Sequence, residues 1–184
     1  SFARLRWVGR DAMFLLMLST MMLPPQVTMI PQFILFFKLG WIDTFKPLVV
    51  PILFGGVPFT IFLTRQFFMS IPRDLDDAAR IDGCGILGIY WRIMLPLSRP
   101  VMATIAIYSV IWNWNDFLGP LIYLNSRHKF TLAVALSLLR YTPYGSTRWH
   151  YMMAVSLMTV APVILVFFFA QKYFIQGVVF TGVK

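Results

Sequence analysis

Four stretches of this chain run for about the width of a bilayer without a charged side chain. They are residues 12–37, 47–64, 100–115 and 149–171, with His150 counted as neutral. A helix needs about 20 apolar residues to cross a hydrocarbon core of roughly 30 Å. The third run reaches that length only by continuing past Asp116 to Leu124. Hydrophobic residues make up 59% of the 184 residues and charged residues 12%, against roughly a quarter charged in a soluble domain. A core for a chain of this size needs less apolar surface than that, so the excess faces lipid. The spacing predicts an all-α polytopic transmembrane helix bundle with spanning helices over about 12–37, 48–68, 101–124 and 151–171. A shorter apolar run, 130–139, is expected at the interface or re-entering.

Prolines interrupt two of these spans, Pro24, Pro25 and Pro31 in the first and Pro58 in the second. Inside a membrane such breaks survive where neighbouring helices satisfy the freed carbonyls. An even number of spans puts both ends on one side together with the loop over 70–99. Ten of the sixteen Lys and Arg residues fall on that side, which makes it cytoplasmic by the positive-inside rule. The other six are Lys38, Lys46, Arg127, Lys129, Arg140 and Arg148. Because these cations cap apolar runs, the net charge of +9 reads as orientation and anionic-lipid contact, not as a nucleic-acid face. Arg65 and Arg99 mark the membrane boundary. The single cysteine, Cys84, excludes an internal disulfide and a thiolate cluster, and His128 and His150 lie far apart, so no metal site is expected. The eleven methionines read as adaptable packing.

All seven acidic residues are aspartates, and four of them, Asp74, Asp76, Asp77 and Asp82, sit in one loop. Pro72 suits the start of a short helix whose first turn is acidic, and Gly83 and Gly85 stop it. A second short helix follows, with Ile86, Ile89, Tyr90, Ile93 and Met94 spaced along one face and Pro96 at its end. Two amphipathic helices hinged at glycine fit a groove on a partner protein or lie flat on lipid. Anionic headgroups would repel the acidic first helix.

From Asp77 to Gly83 the loop reads D-A-A-R-I-D-G, and Ile93 to Pro96 reads I-M-L-P. This pattern and its spacing resemble the EAA loop of the membrane subunits of bacterial binding-protein-dependent ABC importers, written E-A-A-x-x-D-G, nine residues, I-x-L-P. Asp77 stands where glutamate is usual, keeping the carboxylate but shortening it by one methylene. SFARLRWVGRD at the start, WNWNDFLGPLIYL and FFFAQKYFIQGVVFTGVK are similar to the carbohydrate-uptake branch, notably maltose- and glycerol-phosphate-type second membrane subunits of the MetI-like fold. Those proteins usually have six spans, so the resemblance implies a piece lacking the first two, with one permease domain over 1–184. It implies a multi-pass subunit of the bacterial inner membrane forming half of a sugar or polyol path. Its partners would be a second permease subunit, two copies of an ATP-binding subunit and an extracytoplasmic solute-binding protein. The ATPase would dock through Asp77, Ala78, Ala79, Asp82, Gly83, Ile93, Leu95 and Pro96. ATP and Mg would belong to that partner, and this chain has no G-x-x-x-x-G-K-[ST] loop to hold them.

Asp116 is the one acid within an apolar span, beside Trp112, Asn113, Trp114 and Asn115. A carboxylate at membrane depth is costly and functional by default, and Asn, Asp and Trp together suit the hydroxyls and apolar face of a sugar. The same cluster would serve as interhelical hydrogen bonding. Gln26 and Gln32 are weaker path candidates. Two other functional classes are open to such a chain. An ion-coupled secondary transporter would use the broken first span and Asp116. A membrane enzyme would need a ligand set or a G-x-S-x-G nucleophile, which the sequence lacks.

Overall fold

A computed structural model of the chain describes residues 2–139 and 149–179, with side chains described as far as residue 168. Its helices are α1 (Arg10–Ser19), α2 (Pro25–Lys38), α3 (Lys46–Gly55), α4 (Pro58–Ser70) and α5 (Asp74–Ile81). Next come α6 (Ile86–Leu97), α7 (Arg99–Trp114), α8 (Leu118–Tyr123), α9 (Leu132–Leu139) and α10 (Trp149–Val179). No strand occurs among the described residues. Lys46–Ser70 and Trp149–Phe168 are long and apolar enough to cross a membrane, and two bent helix pairs raise the number to four if each counts as one span. Of the residues in the two longer segments, 6% and 0% are buried. Their apolar side chains are therefore left for lipid or other subunits to cover.

Proline sets most of the helix boundaries. Pro25, Pro58 and Pro47 each occupy the first turn of a helix, where the missing N–H is no loss. The expected first span divides at Leu23–Pro24 into α1 and α2, and the expected second divides at Gly56, whose φ is 64°. The expected third span does not continue as one helix to Leu124. It stops at Trp114 and resumes as α8 after three non-helical residues, because Asp116 turns its carboxylate onto the Gly119 N–H at 3.2 Å and Pro120 brings no donor. The run at 130–139 forms α9, eight residues long and too short to span. The basic residues Arg140, Arg148, Lys172 and Lys184 of the orientation count lie outside the described side chains.

The described residues fall into two compact units. One takes in residues 2–23 and 57–106. Here Phe14 of α1 is buried against Phe62 of α4 and Phe2, with ring centroids 6.5 and 5.7 Å apart. The Arg65 guanidinium lies 4.2 Å from the Phe14 ring centroid and donates to the Phe2 carbonyl at 3.2 Å. Such a stacked cation is worth about 0.5–2 kcal/mol, so Arg65 is a packing residue as well as a boundary marker.

The other unit takes in 24–56 and 107–171. Its centre is aromatic: Phe36 stacks on Trp41 at 5.7 Å and meets Tyr123 edge-on at 5.3 Å, with Leu124 and Val134 buried. A polar clasp closes this unit. Asp43, held at a left-handed φ of 59°, accepts the N–H groups of Asn125 and Ser126, the Ser126 hydroxyl at 2.6 Å and the Lys129 ammonium at 2.8 Å. The Lys129 hydrogen bond, followed by those from Ser126 and Asn125, holds the Asp43 carboxyl far below the usual carboxylate range. A depressed folded value means that the clasp is at full strength above about pH 4, where the unfolded carboxyl ionises, and weakens as the pH falls further. Asp43→Asn keeps a residue that tolerates the left-handed backbone. It is expected to lower the melting temperature of detergent-purified protein at pH 7, by an amount that shrinks toward about pH 3. A constant difference across that range would show that Lys129 does not respond to the charge.

Candidate functional site

The acidic loop builds itself from a small core. Asp74, Asp76 and Asp77 occupy the first turn of α5, at the positive end of its dipole. The helix ends in a two-bond cap: the Cys84 N–H reaches the Ala79 carbonyl at 2.9 Å and the Gly83 N–H reaches that of Arg80 at 3.0 Å. Gly83 supplies the required φ of 80°, which costs a β-carbon-bearing residue about 1–2 kcal/mol. The chain then reverses into α6, whose Ile89 and Met94 close on Ala79, flanked by Phe68, Ile71, Cys84 and Ile93.

The two faces of this loop differ in chemistry. Asp76 and Ala79, three residues apart, turn inward. Asp77, Ala78, Ile81, Asp82 and Gly83 are exposed. Asp77 keeps 67% of its side chain open to solvent, with Arg80 3.8 Å away as its ion partner. On α6 the expected apolar face is rotated: Ile89 and Met94 are buried and Ile93 half-buried, but Ile86 and Tyr90 are exposed. The cause is a wide turn over Tyr90–Met94, in which the Leu95 N–H bonds Tyr90 five residues back, immediately before Pro96. A five-residue step carries the inward face from 89 to 94 in place of 93. The helix also runs through Pro96 to Leu97 instead of closing on it. The outcome is an outer surface bearing Ile81, Ile86, Leu87 and Trp91, each more than half exposed, beside three open carboxylates at Asp74, Asp77 and Asp82.

The five candidate path residues fan around the end of α7 and beyond it. Trp112 is 66% exposed and stacks on Tyr108 one turn back, at 5.9 Å. Trp114 turns the other way, its indole N–H donating to the Thr159 carbonyl of α10 at 3.1 Å. Asn113 and Asn115 are exposed, and their amides fold back onto the Ser109 and Ile111 carbonyls, both at 2.7 Å. Each therefore keeps a side-chain carbonyl free to accept. Asp116, half-buried, accepts from Gly119 through one oxygen. The other oxygen would stand 2.7 Å from a β-carbon at position 119, so glycine there makes room for the carboxylate. Gln26 and Gln32 are exposed on α2. No group of three or more His, Cys, Asp or Glu side chains able to hold a metal ion occurs among the described residues.

Sequence reasoning missed Tyr108, although its spacing of four from Trp112 was visible. It also missed Arg4 and Asp43. Arg4 donates to Asp76 at 3.2 Å and to the Ile71 carbonyl at 2.6 Å, joining the start of the chain to the acidic loop.

Comparison with known proteins fits this geometry. Residues 1–179 match the family described as binding-protein-dependent transport system inner membrane component. The chain is 42% identical over 176 residues to the arabinooligosaccharides transport system permease protein AraQ of Halalkalibacterium halodurans, covering 96% of this chain and 62% of that protein. It is 32% identical to the sn-glycerol-3-phosphate transport system permease protein UgpE of Yersinia pestis, covering 95% and 61%. A solved bacterial ABC transporter involved in import of the acidic polysaccharide alginate superposes with a TM-score of 0.79 at 28% identity, over 94% of this chain and 65% of that one. The chain thus spans about three fifths of the length of the curated relatives it matches. By the extent of that family match, and by its identity to permeases over nearly all of its length, the chain belongs to the inner membrane components of binding-protein-dependent transport systems.

Proposed function

We propose that this chain is a permease subunit of an ATP-driven importer, contributing half of a path for a sugar, oligosaccharide or related polyol. It does no chemistry of its own; ATP and Mg are bound by a partner. The observation that carries the reading is the outward face of α5 and α6, where Asp77 and Asp82 border exposed Ile81, Ile86 and Trp91 around a glycine hinge. Apolar anchors ringed by open carboxylates suit a groove with basic rims on a soluble subunit, not an anionic membrane surface. We assign that docking to Asp77, Ala78, Asp82 and Gly83, with Ala79, Ile93, Leu95 and Pro96 shaping the loop beneath. Two copies of the ATPase, a second permease and a solute-binding protein complete the assembly. At the other end, Trp112 offers an open aromatic face, and Asn113, Asn115 and Asp116 offer acceptors to hydroxyl groups. Names of relatives that handle arabinooligosaccharides and glycerol 3-phosphate support a polyhydroxylated cargo.

The test is to express the full-length gene product with its genomic neighbours, purify through a tag on this subunit in mild detergent, and weigh what co-elutes. An ATP-binding subunit should accompany it and be lost in an Asp77→Arg variant that still inserts. Clean isolation of the permease alone would favour a self-contained, ion-driven transporter in which Asp116 is the coupling group.

A further inference from the structure

Two consecutive aspartates of α5 face opposite ways. Asp77 is open to the partner side, while Asp76 is 14% exposed and meets an Arg4 side chain that is also 14% exposed. The two residues are 72 positions apart, so the pair ties α5 to the segment that leads into α1. Arg4 grips at two points, Asp76 through one nitrogen and the Ile71 carbonyl through another, the latter at the end of α4. The α5 helix is thus fixed through its inner carboxylate at the turn where its outer carboxylate is offered.

The geometry of the pair is incomplete in a specific way. A guanidinium and a carboxylate satisfy each other best as a two-bond fork. Here a single bond forms, and Arg4 Nε and Asp76 Oδ1 are buried without a hydrogen-bond partner. A buried polar atom without a partner is costly, so this arrangement lies close to a second one in which α5 has shifted slightly and the fork has closed. An ion pair with two arrangements separated by a small rigid-body step is suited to carry displacement.

We propose that Arg4 and Asp76 are a positioning pair that sets where α5 stands and passes the push of a docked ATPase from α5 to the segment leading into α1. This deepens the importer reading and rests on it. The test uses the full-length subunit assembled with its partners in proteoliposomes, with MgATP hydrolysis measured per co-purified ATPase subunit. Asp76→Asn, nearly isosteric and still able to accept, should keep the ATPase content and the KM for ATP, because ATP binds elsewhere. Its kcat should change by about fivefold or more. The exchanged pair, Arg4→Asp with Asp76→Arg, should bring kcat back to within about twofold of wild type. If Asp76→Asn fails to assemble, rescue of assembly by the exchange supports the pair, and failure of that rescue overturns it. An unchanged kcat in a normally assembled Asp76→Asn complex also overturns it. Absence of any ATPase from the wild-type complex would instead remove the importer reading itself.

Discussion

Gly83→Val is expected to leave the subunit inserted in the membrane while ATP-driven uptake falls roughly five- to thirtyfold. The reasoning is purely conformational. A β-carbon at position 83 meets nothing within 4 Å, so no clash arises. The cost comes from the left-handed backbone, φ 80°, which a side chain makes about 1–2 kcal/mol less favourable and a β-branched one worse. The residue would relax toward a right-handed or extended conformation, breaking the Cys84–Ala79 and Gly83–Arg80 bonds that end α5. The outer face would then no longer present Asp77 and Asp82 in one constellation with α6. Uptake of labelled arabinotriose and glycerol 3-phosphate by cells carrying the variant, beside a membrane-fraction immunoblot, checks both halves. Gly83→Asn provides the control, since asparagine enters the left-handed region more readily and should lose much less. Equal uptake by wild type and the valine variant would mean that the cap has no part in coupling.

Met94→Ala is expected to open the loop without touching its surface. Met94 is 4% exposed and closes a core whose buried members are otherwise only Ala79 and Ile89. Removing a buried methionine side chain costs about 2–5 kcal/mol in a full core. So small a cluster has little else to fall back on, and the cost appears as local unfolding. Trypsin should then cut at the exposed Arg80 and Arg92 about ten- to a hundredfold faster in inside-out vesicles. Leu97→Ala, at a residue 43% exposed, should leave the rate near wild type. A cleavage rate in Met94→Ala equal to that of Leu97→Ala would show that the loop is held from outside itself.

What could be read from the sequence followed the range of the interaction concerned. The limits of α5 were legible because they are local: Pro72 and three aspartates at one end, Gly83 at the other. The breaks at Leu23–Pro24 and before Pro58 were legible for the same reason. The inward face of α6 was misjudged because a 3.6-residue period cannot announce a single five-residue turn, which the donor-less Pro96 helps to set. The third span was drawn too long because hydropathy alone counted Asn115 and Asp116 as passengers. Asp116 instead bonds the backbone of Gly119 and the helix stops before it. The ion pairs Arg4–Asp76 and Asp43–Lys129 join residues 72 and 86 positions apart, and no local spacing hints at either. Among the path residues the composition was informative but their directions were not, since neighbouring positions on a helix point about 100° apart.

The wide turn at Tyr90–Met94 makes the length of this loop a mechanical parameter. Deleting one residue there would restore ordinary winding and rotate all that follows in the helix by about 100°. Ser98, 1% exposed and bonded to the Leu95 carbonyl, would be carried out of its pocket, and Val101 with it. Changes of side chain on the outer face can therefore accumulate freely to suit a different ATPase, whereas an insertion or deletion between Ile86 and Leu97 cannot. Grafting this loop between permeases should succeed only when its residue count is preserved.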